Sequence, residues 1–271
     1  MNKLWTPEQK TVPDPTTDIN VVFFGDLHAR YDLLERLVRE LRGEDPRVEI
    51  VGVGDLIGKK GGYGNNLKTL QVVRDLGIKS ILGNHELAQM AASDHFDESM
   101  RLLIAKTWID VYEEGILQDF GVKIKKGDSP ERLLEKLGIE MSRQKLGELL
   151  KQFPAYYETE KSVALHGLLK ATIDWSEQKE ELDQYMKVIN ETADYTNVPW
   201  QIECDVREPT DSLSLPEDFT KKLVVGNMEL DLSASERVVC GGRLILLGGL
   251  QGSSQALPIY RENTDTVEMF R

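Results

Sequence analysis

Two cysteines in 271 residues, Cys204 and Cys240, are too few for a disulfide framework or a thiolate metal site, and they fit a reduced, intracellular setting. Long apolar runs are missing too. None approaches the ~18 residues needed to cross a bilayer, so no membrane association is expected. The opening Met1-Asn2-Lys3-Leu4-Trp5-Thr6-Pro7 carries no apolar signal segment, and the expected location is cytoplasmic. Positive charge is in short supply: 33 Lys and Arg stand against 46 Asp and Glu, a formal net charge of −13. A general nucleic-acid binder would show a basic face instead. An acidic protein that handles phosphate must import positive charge, and metal ions would supply it.

What is present is soluble globular material, 40% hydrophobic and 29% charged, with a chain long enough for one elaborated domain or two. The informative stretch is Val22-Phe23-Phe24-Gly25-Asp26-Leu27-His28, where an apolar run ends in glycine, an acid and then a histidine. Ile50-Val51-Gly52-Val53-Gly54-Asp55 repeats the design, and Ser80-Ile81-Leu82-Gly83-Asn84-His85-Glu86 repeats it again. The spacing is even, 55 − 26 = 29 and 84 − 55 = 29, about the length of one strand–helix–strand unit of roughly 30 residues. Three strands then finish side by side and release ligand atoms at their C-terminal edge, where open α/β sheets bind their ligands. A fourth apolar run, Lys161 to Leu165, ends in His166-Gly167. Three of the four histidines therefore follow apolar runs; the other, His95, lies in a polar stretch and reads as a surface residue. A single Gly-Asp or Asn-His is mostly turn chemistry. Their joint occurrence has the makeup of a metal site.

The rest of the chain places these motifs. Residues 1–18 hold three prolines and read as a tail. Leu33, Leu34, Leu37, Val38 and Leu41 predict a helix from Tyr31 to Arg42 with Gly43 as its stop. Asn65 or Asn66 opens a second helix, closed by Gly77. From Glu86 to Phe153 the pattern is helical, including Met100, Leu103, Ile104, Trp108, Val111 and Tyr112. Within it, Ser129-Pro130 caps one helix and Ser142 starts another. Residues 95–160 thus form a helical insertion, and residues 170–220 a variable acidic segment with one helix capped by Ser176. The end of the chain predicts strands at 222–225, 237–240, 243–247, 256–260 and 266–270, the last three as a meander.

Gly25-Asp26-Leu27-His28-Ala29-Arg30-Tyr31-Asp32, Gly54-Asp55, Gly83-Asn84-His85-Glu86 and Leu165-His166-Gly167 together resemble the signature motifs of the calcineurin-like metallophosphoesterases. Within that superfamily the look is closest to the phosphoprotein phosphatases and diadenosine tetraphosphate hydrolases. The resemblance runs from residue 19 to the C-terminus, read as a single domain, although the helical block and residues 168–220 carry no motif. It implies an α/β fold, a β-sandwich of two mixed sheets flanked by helices, and a two-metal hydrolase. Asp26 and His28 would hold one divalent ion, Asn84 and His166 a second, and Asp55 would bridge them. A hydroxide shared by the ions would be the nucleophile, and His85 would protonate the leaving oxygen. Carboxylate, carboxamide and imidazole suit Mn, with Fe, Mg or Zn as alternatives.

Four departures stand out. The family's late Gly-His-x-His pattern is replaced by Gly226-Asn227-Met228-Glu229. Either Asn227 and Glu229 still ligate through oxygen, favouring Mn or Mg, or this turn has lost its ligands. After the bridging acid, Gly58 and Lys59 occupy the places of the phosphatases' Asp and Arg. Leu82 replaces an Arg, and Gly248-Gly249-Leu250 replaces an Asp-Thr-Gly. A guanidinium fork is not matched by leucine and only partly by lysine, which argues against a protein serine/threonine phosphatase proper. Arg30, Lys59 and Lys60 remain as candidates for gripping substrate phosphate, unless the two lysines form only a solvated turn. The expected activity is hydrolysis of a phosphomonoester or nucleotide phosphoanhydride, with a phosphorylated small molecule, nucleotide or phosphoprotein as substrate. The alternatives are a degenerate member that binds metal or a phosphorylated ligand without turnover, and a cyclic phosphodiesterase or nuclease.

Overall fold

The strand β1 (Val21–Phe24) is apolar on both faces because both faces are covered, and so is β2 (Glu49–Gly52) beyond Glu49, while β3 (Lys79–Ser80) is a two-residue polar strand at the sheet edge. Val21, Phe23, Val51, Val53 and Ile81 pack toward a second sheet. Val22, Phe24 and Ile50 join the helix-covered core instead. This alternation is the period-2 geometry of a strand sandwiched between two layers. The structure is a computed structural model and describes residues 19–58, 65–93, 114–203, 213–227, 232–248 and 256–271.

Among the described residues, two five-stranded sheets form the core. In the first, β2 lies between β1 and β3 and all three run parallel, with Val21 opposite Glu49 and Gly52 opposite Ser80. The sheet is completed by the antiparallel hairpin β9 (Leu257–Arg261) and β10 (Thr266–Phe270), with β9 against β1. In the second sheet, β5 (Ser162–Leu165), β6 (Lys222–Val225) and β8 (Leu244–Leu246) are parallel. The strands β4 (Tyr156–Glu158) and β7 (Val238–Val239) close its two edges antiparallel. Ala164, Val224, Ile245 and Leu247 meet the inner face of the first sheet. The two mixed sheets and their flanking helices are the α/β architecture the motifs imply.

Between β1 and β2 runs α1 (Tyr31–Glu44), which buries Leu33, Leu34, Leu37, Val38 and Leu41. It passes through Gly43 and ends one residue later at Glu44, and the N–H of the capping Asp45 reaches the Leu41 carbonyl. Gly43 is therefore not the stop, because the last turn closes on its own backbone. Between β2 and β3 runs α2 (Asn66–Leu76), capped by Asn65 and closed by Gly77 at φ +60°. A left-handed residue there favours glycine.

After β3 come α3 (Asn84–Ser93), α4 (Glu114–Asp119), α5 (Pro130–Arg143) and α6 (Leu146–Leu150). The helices α5 and α6 pack on α3, and α4 packs on α2. Ser129 caps α5 with Pro130 in its first turn, as the sequence predicts. Ser142 opens no helix: it lies inside α5, and the restart falls at Lys145, whose φ of +57° breaks the helical path. Met100, Leu103, Ile104, Trp108, Val111, Tyr112 and His95 lie outside the described residues. In the later segment, α7 (Trp175–Thr192) starts one residue before Ser176. Its first N–H is taken by the Asp218 carboxylate at 3.1 Å, a cap supplied from 43 residues away. A short α8 (Trp200–Glu203) follows.

The expected three-strand meander at the C-terminus is divided between the sheets. One member, β8, lies parallel to β6 in the second sheet, while β9 and β10 belong to the first. Apolar alternation identifies a strand but not its sheet, and here long-range bonds decide: Leu247 N–H to Val225 O at 2.7 Å and Gly25 N–H to Pro258 O at 3.0 Å. The strand expected at 237–240 shrinks to Val238–Val239, because the Ser233/Glu236 capping box starts a tight turn at Ala234–Arg237. No helix among the described residues is long and apolar enough to cross a membrane.

Candidate metal centre

The C-terminal ends of β1 and β2 are laced together before any ligand is added. Leu27 and His28 both donate their N–H to the Asp55 carbonyl at 2.9 Å, and Ala29 donates to Leu56 O at 2.8 Å. These turns need unusual backbone. His28, Ala29 and Asp55 have φ of +44°, +68° and +48°, and Asn227 joins them at +43°. Left-handed conformations in residues with a side chain cost on the order of 1–3 kcal/mol each and cluster at functional sites. These four lie on or beside loops where a candidate ligand was expected, while Lys145, Ala193, Asn197, Cys240 and Asp265 adopt positive φ elsewhere in the chain.

Asp55 is the hub, 2% exposed. Its Oδ1 accepts the His85 backbone N–H at 3.2 Å, at the start of α3, and faces His166 Nε2 at 3.2 Å. Its Oδ2 stands 3.5 Å from His85 Nε2. Burial would raise its pKa, but charge on His85 and His166 pulls the carboxyl well below the usual carboxylate range. His166, at the end of β5, is fully buried, and its Nδ1 sits 2.8 Å from the Val53 carbonyl. That contact requires a proton on Nδ1 and turns the Nε2 lone pair inward. There it meets Asp55 Oδ1 and Asn84 Oδ1, both at 3.2 Å. Three acceptor atoms converge at that point, an arrangement favourable around a cation or around a proton on Nε2. Without a cation, burial disfavours the charged ring, but Asp55 and Asp26 outweigh it and His166 is pushed up to about 10.

On the other side, Asp26 is buried beneath the loop after β6. The Asn227 N–H donates to its Oδ1 at 3.2 Å. A β-carbon at Gly226 would stand 2.5 Å from the same oxygen, so only glycine permits that approach. Nitrogens of His28 and His85 and an oxygen of Asp55 lie within 4.8 Å of one another, all three residues buried. The His28 and His85 rings meet edge to face at 5.3 Å. This cluster brings His85 closer to the candidate ligands than the sequence reading placed it. Carboxylate, carboxamide and neutral imidazole converging on a buried point fit divalent cations, and the residues present therefore fit the metals the motifs imply.

Arg30 makes a bidentate pair with Asp32, both bonds 2.9 Å, and the pairing holds the Asp32 carboxyl below its usual value. Its side chain is 18% exposed, so this candidate phosphate grip is already partly committed to a neighbour. Lys59, Lys60 and Glu229 lie outside the described residues.

Three residues shape the site in ways the sequence did not show: Glu86 stood in a motif without a role, Asn66 as a helix opener, and Asp119 carried no signal. Glu86, fully buried, takes the N–H groups of Asp55 at 2.8 Å, Ile57 at 3.0 Å and Gly83 at 3.1 Å. It ties the second and third ligand loops together and is spent on backbone. Burial and the Asp55 charge push it up to about 8. Asn66, 2% exposed, accepts the Gly58 N–H at 2.8 Å, and Asp119 holds Asn66 in turn. A polar residue at a helix start is usually a cap, which hid the further role of Asn66.

Comparison with known proteins bears on family and fold. The sequence profile of the calcineurin-like phosphoesterases matches residues 19–210. A symmetrical bis(5'-nucleosyl)-tetraphosphatase of Xanthomonas campestris pv. campestris is 31% identical over 85 residues. That alignment takes in 31% of this chain and 25% of the relative, so the likeness covers about a quarter of the curated protein's length. The solved structure of a candidate diadenosine tetraphosphatase superposes with a TM-score of 0.51 at 14% identity, covering 94% of both chains. At that identity the likeness is one of fold.

Proposed function

We propose that this chain, which belongs to the calcineurin-like phosphoesterases and is a hydrolase of that class, cleaves a phosphomonoester or nucleotide phosphoanhydride with two divalent ions, Mn favoured. Asp26 and His28 would hold one ion, Asn84 and His166 the other, with Asp55 between them. The observation that carries the reading is the convergence on His166 Nε2 of Asp55 Oδ1 and Asn84 Oδ1, each at 3.2 Å, with His166 and Asp55 buried and Asn84 partly open. When bound, such ions supply an activated water and neutralise phosphoryl charge.

The chain's own groups do the rest. Burial works against the Asp55 charge, but His85 and His166 hold its carboxyl below the usual carboxylate range, which favours the ionised form. The Val53 carbonyl keeps His166 in the tautomer that points Nε2 inward. Glu86 holds the loops of Asp55 and Gly83 in register. His85 stands at the start of α3 with Nε2 near Asp55 and is the candidate donor of a proton to the leaving oxygen as the P–O bond breaks. Asn227, and Glu229 with it, would complete the first ion's shell from the second sheet. Substrate phosphate would be met by Arg30 and by the 59–60 lysines.

The activity for which the Xanthomonas relative is named favours a dinucleoside polyphosphate among the substrates. The testing experiment is a metal-by-substrate panel: Mn, Mg, Fe, Co and Zn against aryl phosphate, bis-aryl phosphate, dinucleoside polyphosphate and phosphopeptide. Turnover of a monoester or polyphosphate with Mn is the expected result. Metal binding without turnover of any substrate would favour a non-hydrolytic ligand binder, and preference for the bis-aryl ester would favour a phosphodiesterase.

A further inference from the structure

The ring of His85 does not stand beside a side chain at position 58. It lies on bare backbone. A β-carbon built at Gly58 would fall 2.1 Å from His85 Nδ1 and 2.7 Å from two ring carbons. Gly58 also has φ of +114°, a conformation that residues with a β-carbon rarely adopt. The ring therefore occupies the space a side chain would fill, and its tilt follows the path of the Gly58 backbone.

That path is set from outside the ligand loops. The Gly58 N–H donates to Asn66 Oδ1 at 2.8 Å, both groups buried. An amide offers an oxygen on one side and an NH2 on the other, and its neighbours decide which way it turns. Here the decision is made by Asp119. One oxygen of its carboxylate accepts both the Asn66 backbone N–H and the Asn66 Nδ2 at 2.9 Å, and the other accepts Asn65 Nδ2 at 3.2 Å. With Nδ2 committed to a carboxylate, Oδ1 is left to face Gly58. The Asn65 N–H donates to Ala29 O at 2.9 Å, which ties the same corner to the His28 loop. Asp119 lies on α4, within the helical block, 53 residues from Asn66.

We propose that Asp119 is a positioning residue: through Asn66 and Gly58 it sets the orientation of the His85 imidazole, so the helical block controls the proton donor of the site. The proposal rests on reading His85 as that donor. The bland rival is that Asp119 only caps α2. Asn65 already supplies a cap, accepting the Lys68 N–H at 2.7 Å, and a second cap would have no reason to fix the Asn66 amide. A cap alone also leaves the imidazole where it is, and this separates the two ideas.

The test has two readouts. In the metal-free protein, the imidazole ring resonances of His28, His85 and His166 are assigned by single His→Asn variants and followed in Asp119→Ala. The His85 signal is expected to move or broaden while His166, held by Val53, stays in place. In the metal-loaded protein, Asp119→Ala is expected to lose part of the about 10²–10⁴-fold that a general acid contributes on an alkyl phosphate, with little change on nitrophenyl phosphate. Adding it to His85→Asn should cost nothing more on the alkyl ester, because both remove one function. If Asp119→Ala does not fold, Gly58→Ala and Asn66→Ala interrupt the same relay at its other members. An unmoved His85 signal in these variants, or equal losses on the two esters that add to His85→Asn, overturns the relay. A displaced His85 signal combined with no leaving-group difference in His85→Asn itself upholds the relay and removes the proton-donor reading.

Discussion

The two sheet edges that meet at the site are built in opposite ways. The first edge delivers Asp26, His28, Asp55, Asn84 and His85 on three short loops spaced 29 residues apart. Its backbone groups are nearly all engaged: the Asp55 carbonyl takes two N–H groups, and Glu86 takes three more from the neighbouring loops. The second edge delivers His166 and Asn227 from adjacent strands, but 227 − 166 = 61 positions apart in the chain, with α7 and α8 in between. It contributes an imidazole and an amide to the described site and no carboxylate. The first edge holds the negative charge in a fixed frame. The second adds one imidazole and one amide, and on the proposed reading its Asn227 turn is where metal preference would change without loss of the centre.

The comparison breaks most sharply at Asp55, which both edges face. Asp55→Asn removes the charge shared by the candidate ions, and metal-assisted stabilisation is worth several kcal/mol, on the order of 10³-fold in turnover. Activity and bound metal, measured together, should both fall. Unchanged metal content with full activity would contradict a two-ion centre. Next in size is His85→Asn, expected to cost about 10²–10⁴-fold on an alkyl phosphate and far less on nitrophenyl phosphate. Its metal content should hold. A parallel loss of metal would instead make His85 a ligand, as its closeness to His28 and Asp55 allows.

A third test uses the proton that competes with metal at the second edge. Burial works against the charged ring, but Asp55 and Asp26 push His166 up from its ordinary 6.5 to about 10 in the metal-free site. The charged ring therefore stabilises the metal-free fold fully below pH 6.5, and that contribution is lost as the pH rises toward 10. A ligand imidazole must be neutral, so metal binding expels the proton. Apparent affinity should rise about tenfold per pH unit between pH 6 and pH 8, with about one proton released. Calorimetry in buffers of different ionisation enthalpy reads both, and a pH-independent affinity with no proton release would exclude His166 from the metal shell. The smallest effect is expected at Asn227. Replacing it by His adds a nitrogen donor to the second edge and should raise retention of Zn or Co relative to Mg. Identical metal preference in Asn227→His and Glu229→Ala would place this turn outside the ligand shell.

Much of the first edge was legible in the chain, because each ligand follows its own apolar strand and the strands repeat at a constant interval. The caps at Asn65 and Ser129 and the stop at Gly77 were equally readable, since a helix end is a local hydrogen-bonding problem. The meander failed for a related reason. Alternation marks Leu244–Leu246 and Leu257–Arg261 as strands in the same way, yet one pairs with β6 and the other with β1. Gly58 could be seen as a departure from the family pattern, but not that the His85 ring fills its missing side chain.

The sequence by itself determined the element order, the helix-covered α/β core and the residue types brought to one sheet edge, because strand and helix periodicity are properties of neighbouring residues. Only the tertiary structure decided that Glu86 serves the Asp55 loop, that Val53 fixes the His166 tautomer and that Asp119 reaches Gly58 through Asn66. Those contacts join residues separated by 31, 113, 8 and 53 positions. Each is worth about 1 kcal/mol and leaves no periodic mark. Among 46 acidic residues, nothing in the order of the chain distinguishes Asp119 from the solvated ones. The packing of α4 on α2 does, because it puts one carboxylate against the side-chain amides of both Asn65 and Asn66.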